Sequence, residues 1–149
     1  MHMHQDSLPS VCACTLLRKA SRVIGRVYDE ALASHGMSIG QFAILRHIAR
    51  GEPLALSRLA EQLEMDRSSL YRALAPLEKR GWVRTAAGEG RSKCASLTAE
   101  GRAAMHAAEP DWGAIQQRVE EEAGAALWKV LKAGLESFTA SVERAGGRA

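Results

Sequence analysis

No stretch of this 149-residue chain approaches the run of about 20 apolar residues needed to cross a bilayer. The opening MHMHQDSLPS also lacks the charged and apolar regions of a secretory signal. Both absences point to the cytoplasm. Cysteine is scarce and odd in number, at three, which argues against a disulfide framework and for a reducing compartment. Cys12 and Cys14 do not have zinc-site spacing, and no second Cys or His pair follows at a fitting distance, so no metal is expected. The chain has no phosphate loop and no nucleophile elbow, and its histidines are scattered without partners. An enzyme is therefore not expected, and no cofactor is implied.

What is present suits one domain, or one domain with an appended helical part: apolar residues make up 46% and charged residues 25%. The net charge is only +3, but its distribution is informative. Arg67, Arg72, Lys79, Arg80, Arg84, Arg91 and Lys93 face only Asp66, Glu78 and Glu89 over residues 66–93. Beyond Arg102 the chain is net acidic, with Glu120, Glu121 and Glu122 in a row. Positive charge so concentrated is what binding to a polyanion requires.

The basic region centres on DRSSLYRALAPLEKRG, residues 66–81. Asp66 is a good N-cap, and Met65 and Leu70 are spaced to close a hydrophobic staple around it. Gly81 stands where a helix ends in a left-handed residue, with Trp82 able to fold back on Leu77. Leu70, Ala73, Leu74 and Leu77 share one face, while Ser68, Tyr71, Arg72, Ala75 and Lys79 lie opposite. Upstream, residues 57–63 (SRLAEQL) read as a short helix, followed by a turn at Glu64 and Met65. A short helix, a tight turn and a longer helix with a polar outer face make a helix-turn-helix. Its candidate DNA contacts are Arg67, Ser68, Ser69, Tyr71, Arg72 and Lys79.

Around this motif a long helix is expected over 9–34, with Leu16, Leu17, Ala20, Val23, Ile24, Val27 and Ala31 as its apolar stripe. Arg18, Arg22 and Arg26 recur on the other side, either as a solvated face or as a surface that meets an anion. Ser38 and Gln41 form a capping box, with Met37 and Phe42 as its staple, for a buried helix over 39–50 that holds His47. Gly51, Glu52 and Pro53 break it, and a short strand over 54–56 follows. After the reading helix, strands over 82–86 and 91–97 flank a Gly-rich turn at 87–90. A basic hairpin in that place is a wing, adding Arg84, Arg91 and Lys93 to the candidate contacts, with Arg91 suited to a narrow minor groove. Thr98 opens a helix that should bend or restart at Pro110, and Gly124 divides it from a last helix over 125–142. The terminal helices carry more apolar surface than a small winged domain can cover, which implies a homodimer. The expected organisation is a disordered start over 1–9, a helical dimerisation region from 10–35 and 99–143, a winged helix-turn-helix over 36–98, and a disordered tail over 144–149. The fold class is mostly α with a small β wing.

Taken together, SIGQFAILRHIA, LSRLAEQLEMDRSSLYRALAPLEKRGWV, EGRSKCASLTAEGRAAM and AEPDWGAIQQRVEEEAG resemble the MarR family of bacterial transcription regulators over about residues 11–142. The resemblance implies an obligate dimer on a palindromic double-stranded operator, usually a repressor. A small effector, often an aromatic acid, would bind between the dimer helices and the winged domain, with Arg18, Arg22, His47 and Trp112 as candidate contacts. The family's wing usually carries an aspartate two residues before the arginine; here Glu89 stands in that place and can pair with Arg91. Pro76, deep in the reading helix, is a further departure: it leaves the Arg72 carbonyl without its usual partner and should bend the helix.

Peroxide-sensing members of the family place a reactive cysteine near the start of the first helix, where Cys14 falls, and Tyr28 matches one accompanying tyrosine. Arg18, one turn on, would stabilise a Cys14 thiolate. On one helix Cys12 and Cys14 would point about 160° apart, which excludes a disulfide between them there. Packing at a dimer seam is the competing role for both. The functions to be separated are thus a ligand-responsive repressor, a thiol-based redox regulator and a non-specific architectural DNA-binding protein.

Overall fold

A computed structural model describes residues 11–147. In chain order these form α1 (Ala13–Leu32), α2 (Ile39–Gly51), β1 (Leu54–Ala55), α3 (Leu56–Gln62), α4 (Arg67–Lys79), β2 (Val83–Ala87), β3 (Lys93–Leu97), α5 (Ala99–Ala123) and α6 (Ala125–Gly146). The architecture is the mostly helical winged helix-turn-helix expected from the sequence. By compactness the chain divides into two units, one ending at Ala108 and one beginning at Glu109.

In the first unit, local signals and structure agree closely. Ser38 caps α2 by accepting from the Gln41 amide at 3.2 Å, and the Gln41 side chain accepts from the Ser38 amide at 3.0 Å. Both residues of the expected staple, Met37 and Phe42, are buried. Gly36, at φ 65°, turns the chain between the 3-10 turn Ala33–His35 and α2, a conformation that costs glycine least. The core is built from Leu32, Phe42, Leu45, Ile48, Leu59, Leu70, Leu74 and Leu77, each under 2% exposed. The sheet is antiparallel in the order β1, β3, β2, with Leu54 opposite Ala95 and Val83 opposite Leu97. The Glu52 carboxylate, just before β1, accepts from the Leu97 amide at 2.8 Å and pairs with Arg102.

Several boundaries differ from the sequence reading. Helix α1 begins at Ala13, with Cys12 as its N-cap. Leu56 opens α3 instead of closing the strand, because it is buried as part of that helix. Trp82 lies outside the wing: its amide returns to the Leu77 carbonyl at 2.9 Å while the Gly81 amide reaches Glu78, the paired bonds that close a helix at a left-handed glycine. Arg91 belongs to the hairpin turn rather than to β3. There the Gly88 amide bonds the Ser92 carbonyl and the Ser92 hydroxyl bonds the Glu89 carbonyl, so pairing resumes only at Lys93.

Two prolines do not interrupt their helices. Helix α4 continues through Pro76 and α5 through Pro110. Both are exposed, so water can serve the carbonyl that each leaves without a partner. In the second unit, Gly124 at φ 81° ends α5 as expected. Helix α6 runs to Gly146, so residues 144–146, expected in a tail, are helical. The expectation of disorder over 1–9 lies outside the described residues, as do residues 148 and 149.

Candidate nucleic-acid interface

Helix α4 presents one packed and one open face. Leu70, Leu74 and Leu77 are at most 1% exposed, while Arg67, Ser68, Tyr71, Arg72 and Lys79 are exposed. At its start the Asp66 carboxylate accepts from the Ser69 amide at 3.1 Å and from the Ser69 hydroxyl. That hydroxyl in turn accepts from the Arg72 guanidinium at 3.4 Å. The Ser69 hydroxyl and then its amide hold the Asp66 carboxyl below the usual range, with the Arg72 charge a smaller contribution. Ser69 is therefore placed to orient Arg72, the central cation of the open face.

The wing closes on the other side of that face. A cleft of about 170 Å³ lies between α3, α4 and the hairpin, lined among others by Ser57, Arg67, Tyr71, Arg91 and Lys93. Cations from two separate segments, with a tyrosine between them, thus surround one opening. Arg84 is exposed on β2, opposite Ser96. Arg91 does not pair with Glu89 among the described residues; the Ser92 hydroxyl holds the turn instead, leaving the Arg91 guanidinium unengaged. A second cleft of about 370 Å³, largely apolar, runs between α2 and α4 and has Ile44, Met65, Ala73 and Pro76 in its walls.

Against known proteins, a profile of the MarR family matches residues 35–92, from the turn before α2 to the wing turn. An M. tuberculosis transcriptional regulator, MosR, solved in complex with DNA, is 33% identical. The match covers 90% of this chain and 98% of that one, with a TM-score of 0.82. The chain belongs to the MarR family. An uncharacterized HTH-type transcriptional regulator of Bacillus cereus is 28% identical over 114 residues, 76% of each chain. CouR from Rhodococcus jostii RHA1, bound to p-coumaroyl-CoA, shares the fold at 22% identity, with 87% of this chain and 92% of that one covered and a TM-score of 0.71.

The other candidate residues of this MarR-family chain do not gather around either cleft. Arg18 and Arg22 are exposed on α1. His47 is half-buried, and its Nδ1 lies 2.7 Å from the Ala43 carbonyl of its own helix. Trp112 is half-buried on α5, in the second unit. Tyr28 is buried on α1, whereas Cys14 is exposed in the first turn of that helix. Cys12 stands outside the helix in extended backbone, so the angle argued for two helical cysteines does not apply to this pair. Its thiol is pulled below the ordinary value, first by the Thr15 side chain and then by the Thr15 and Cys14 amides.

Four residues that shape the site were not legible as such. Arg80, one of the cations of the basic region but not a candidate contact, stacks 3.5 Å from the Trp82 ring centroid and donates to the Gly36 carbonyl. Glu52 secures the end of β3 to the start of α5. The Thr98 hydroxyl donates to the Gly81 carbonyl and accepts from the Gly101 amide at 3.0 Å. A Cβ on Gly101 would lie 2.0 Å from the Trp82 carbonyl oxygen, so only glycine allows α5 to start there. Thr98 had a local signal as a helix cap; its second partner, 17 residues away, had none.

Proposed function

We propose that this MarR-family transcription regulator is a sequence-specific repressor that binds a palindromic operator as a homodimer and is released by a small aromatic or anionic effector. The observation that carries the reading is the convergence of Arg67, Tyr71, Arg91 and Lys93 on one cleft beside the open face of α4. Helix and hairpin together supply side chains for base edges and phosphate-binding cations for the flanking backbone. The DNA complex of MosR supports the same use of the fold. Dimerisation is supported by exposed apolar side chains at both ends of the chain. Leu16, Leu17, Val23 and Ile24 of α1 are 39–56% exposed, and Leu127, Val130, Leu131, Leu135 and Phe138 of α6 are 40–68% exposed. Burying these faces against a second copy accounts for both. The effector part rests on CouR, whose fold holds an aromatic acyl thioester.

The test is the affinity for a duplex selected by the protein from a randomised pool, compared with scrambled duplex at physiological salt. The expected ratio is about 10³ or more. A ratio near one would mark a non-specific architectural protein. Sedimentation should give the mass of a dimer, and a screen of aromatic acids should release the selected duplex.

A second reading, a thiol-based redox regulator, is favoured by one observation: Cys12 and Cys14 are both exposed, and Thr15 draws the Cys12 thiol toward the thiolate. A thiolate attacking an organic hydroperoxide becomes a sulfenic acid as the alcohol leaves. In this reading stoichiometric hydroperoxide releases the wild type from DNA. Comparing Cys12→Ser with Cys14→Ser then identifies the reactive sulfur, and release of both variants as readily as the wild type ends the reading.

A further inference from the structure

We propose that Arg80 is a positioning residue that ties the C-terminal end of the reading helix to the turn between α1 and α2, and that it does not itself bind DNA. Two independent contacts commit its guanidinium. The planar group covers the Trp82 ring at 3.5 Å, and Nη1 donates to the carbonyl of Gly36, which lies 44 positions earlier in the chain. Gly36 is shaped for this: its φ is 65°, and a Cβ there would lie 3.0 Å from Arg80 Nη2.

The same segment is held from its other side. The Trp82 carbonyl accepts from the Thr98 amide at 3.0 Å, and Gly101 leaves no room for a side chain against it. Residues 80–82 are therefore gripped between the α1–α2 turn and the beginning of α5, where α4 has just ended. Helix α4 has 13 residues, so its first turn lies about 20 Å from this grip. A small change of angle at the grip is enlarged at Arg67 and Tyr71. Reaching a phosphate would cost Arg80 both its stacking and its carbonyl bond. A lysine keeps the charge but cannot stack a planar face while donating sideways, so the two side chains are not equivalent here.

The DNA arm of the test rests on the proposed function; a second arm does not. Arg80→Lys and Arg80→Ala are compared with the wild type on the selected duplex and on scrambled duplex across a salt series. The clamp predicts that both variants lose about tenfold on the selected duplex. It also predicts that scrambled-duplex affinity and the slope of log K against log salt are unchanged for both. A phosphate contact predicts the reverse: Arg80→Ala weakens both duplexes alike and flattens the slope by about one, while Arg80→Lys restores binding. That outcome overturns the proposal. Amide hydrogen exchange of the free protein supplies the second arm. Arg80→Lys should raise exchange together in peptides covering 33–38 and 78–84, and unchanged exchange in both would also overturn the clamp. A wild type without preference for any duplex would remove the DNA-reading function, while the exchange experiment would still decide the role of Arg80.

Discussion

Helices α4 and α6 are both amphipathic, and their apolar stripes have opposite fates. Leu70, Leu74 and Leu77 of α4 are at most 1% exposed, whereas Leu131 and Leu135 of α6 remain 46% and 40% exposed. The difference lies in what each helix has beside it. Helix α4 packs against α3 and β2, freeing its outer face for charge and hydroxyl groups. Among the described residues, the apolar stripe of α6 stays exposed. Helical periodicity shows that a face must be buried, but it does not say whether the covering surface belongs to the same chain or to a second copy.

The largest effect should come from breaking the unfinished face. Replacing both Leu131 and Leu135 with lysine costs little in a lone chain, where both positions already meet water. In a dimer it buries unpaired ammonium groups, at several kcal/mol per ion. The double variant should sediment as a monomer, keep its helical circular dichroism and lose measurable operator binding. A folded, tightly binding dimer would mean that this stripe faces water in the assembly as well.

Next in size is the finished helix, altered on its open side. Arg72→Ala should cost about 1–3 kcal/mol per half-site and relax base preference. Ser69→Ala, which removes the hydroxyl between Asp66 and Arg72, should give a smaller loss in the same direction. Lys79→Ala should weaken all duplexes alike and flatten the salt dependence by about one unit. Equal losses on operator and random DNA for Arg72→Ala would leave α4 without its proposed reading residue.

The same contrast explains how much the sequence disclosed. The Ser38–Gln41 box, the Asp66 cap and the Gly81 terminus were legible because each bond spans only a few residues. The winged helix-turn-helix follows from such local marks placed in order. Arg80 to Gly36, Glu52 to Leu97 and Gly101 against Trp82 join segments brought together only by the completed fold, so no spacing announces them. The hairpin was misread at both ends for a related reason: whether Trp82 and Arg91 belong to strands depends on hydrogen bonds to Leu77 and around Ser92, not on strand propensity. Of the candidate site, the helix and wing cations were legible; their meeting at one cleft was not.

A smaller effect is expected at the wing tip, which is exposed. Arg91→Ala should leave the melting temperature and the dimer unchanged. It should weaken binding most where the operator flanks are A·T-rich, because a narrow minor groove concentrates negative potential. Equal weakening on A·T-rich and G·C-rich flanks would make Arg91 an ordinary phosphate contact.

The smallest effect concerns the cap that starts α4. Bonds from the Ser69 hydroxyl and amide lower the folded-state pKa of Asp66. A carboxylate with a depressed folded pKa contributes stability that is fully present above its unfolded value, about 3.9, and is lost as pH falls through the folded value. Asp66→Asn retains a side-chain oxygen that can cap the helix, so its melting temperature at pH 7 should fall only slightly. Asparagine has no such proton to gain, however, so between pH 5 and the acid limb the variant should lose less stability than the wild type. Melting curves of both proteins across that range provide the measurement. Parallel loss in the two would mean that the Asp66–Ser69 bonds contribute nothing that depends on charge. The Asp66 carboxylate would then matter only for holding Ser69, and through it Arg72, toward DNA.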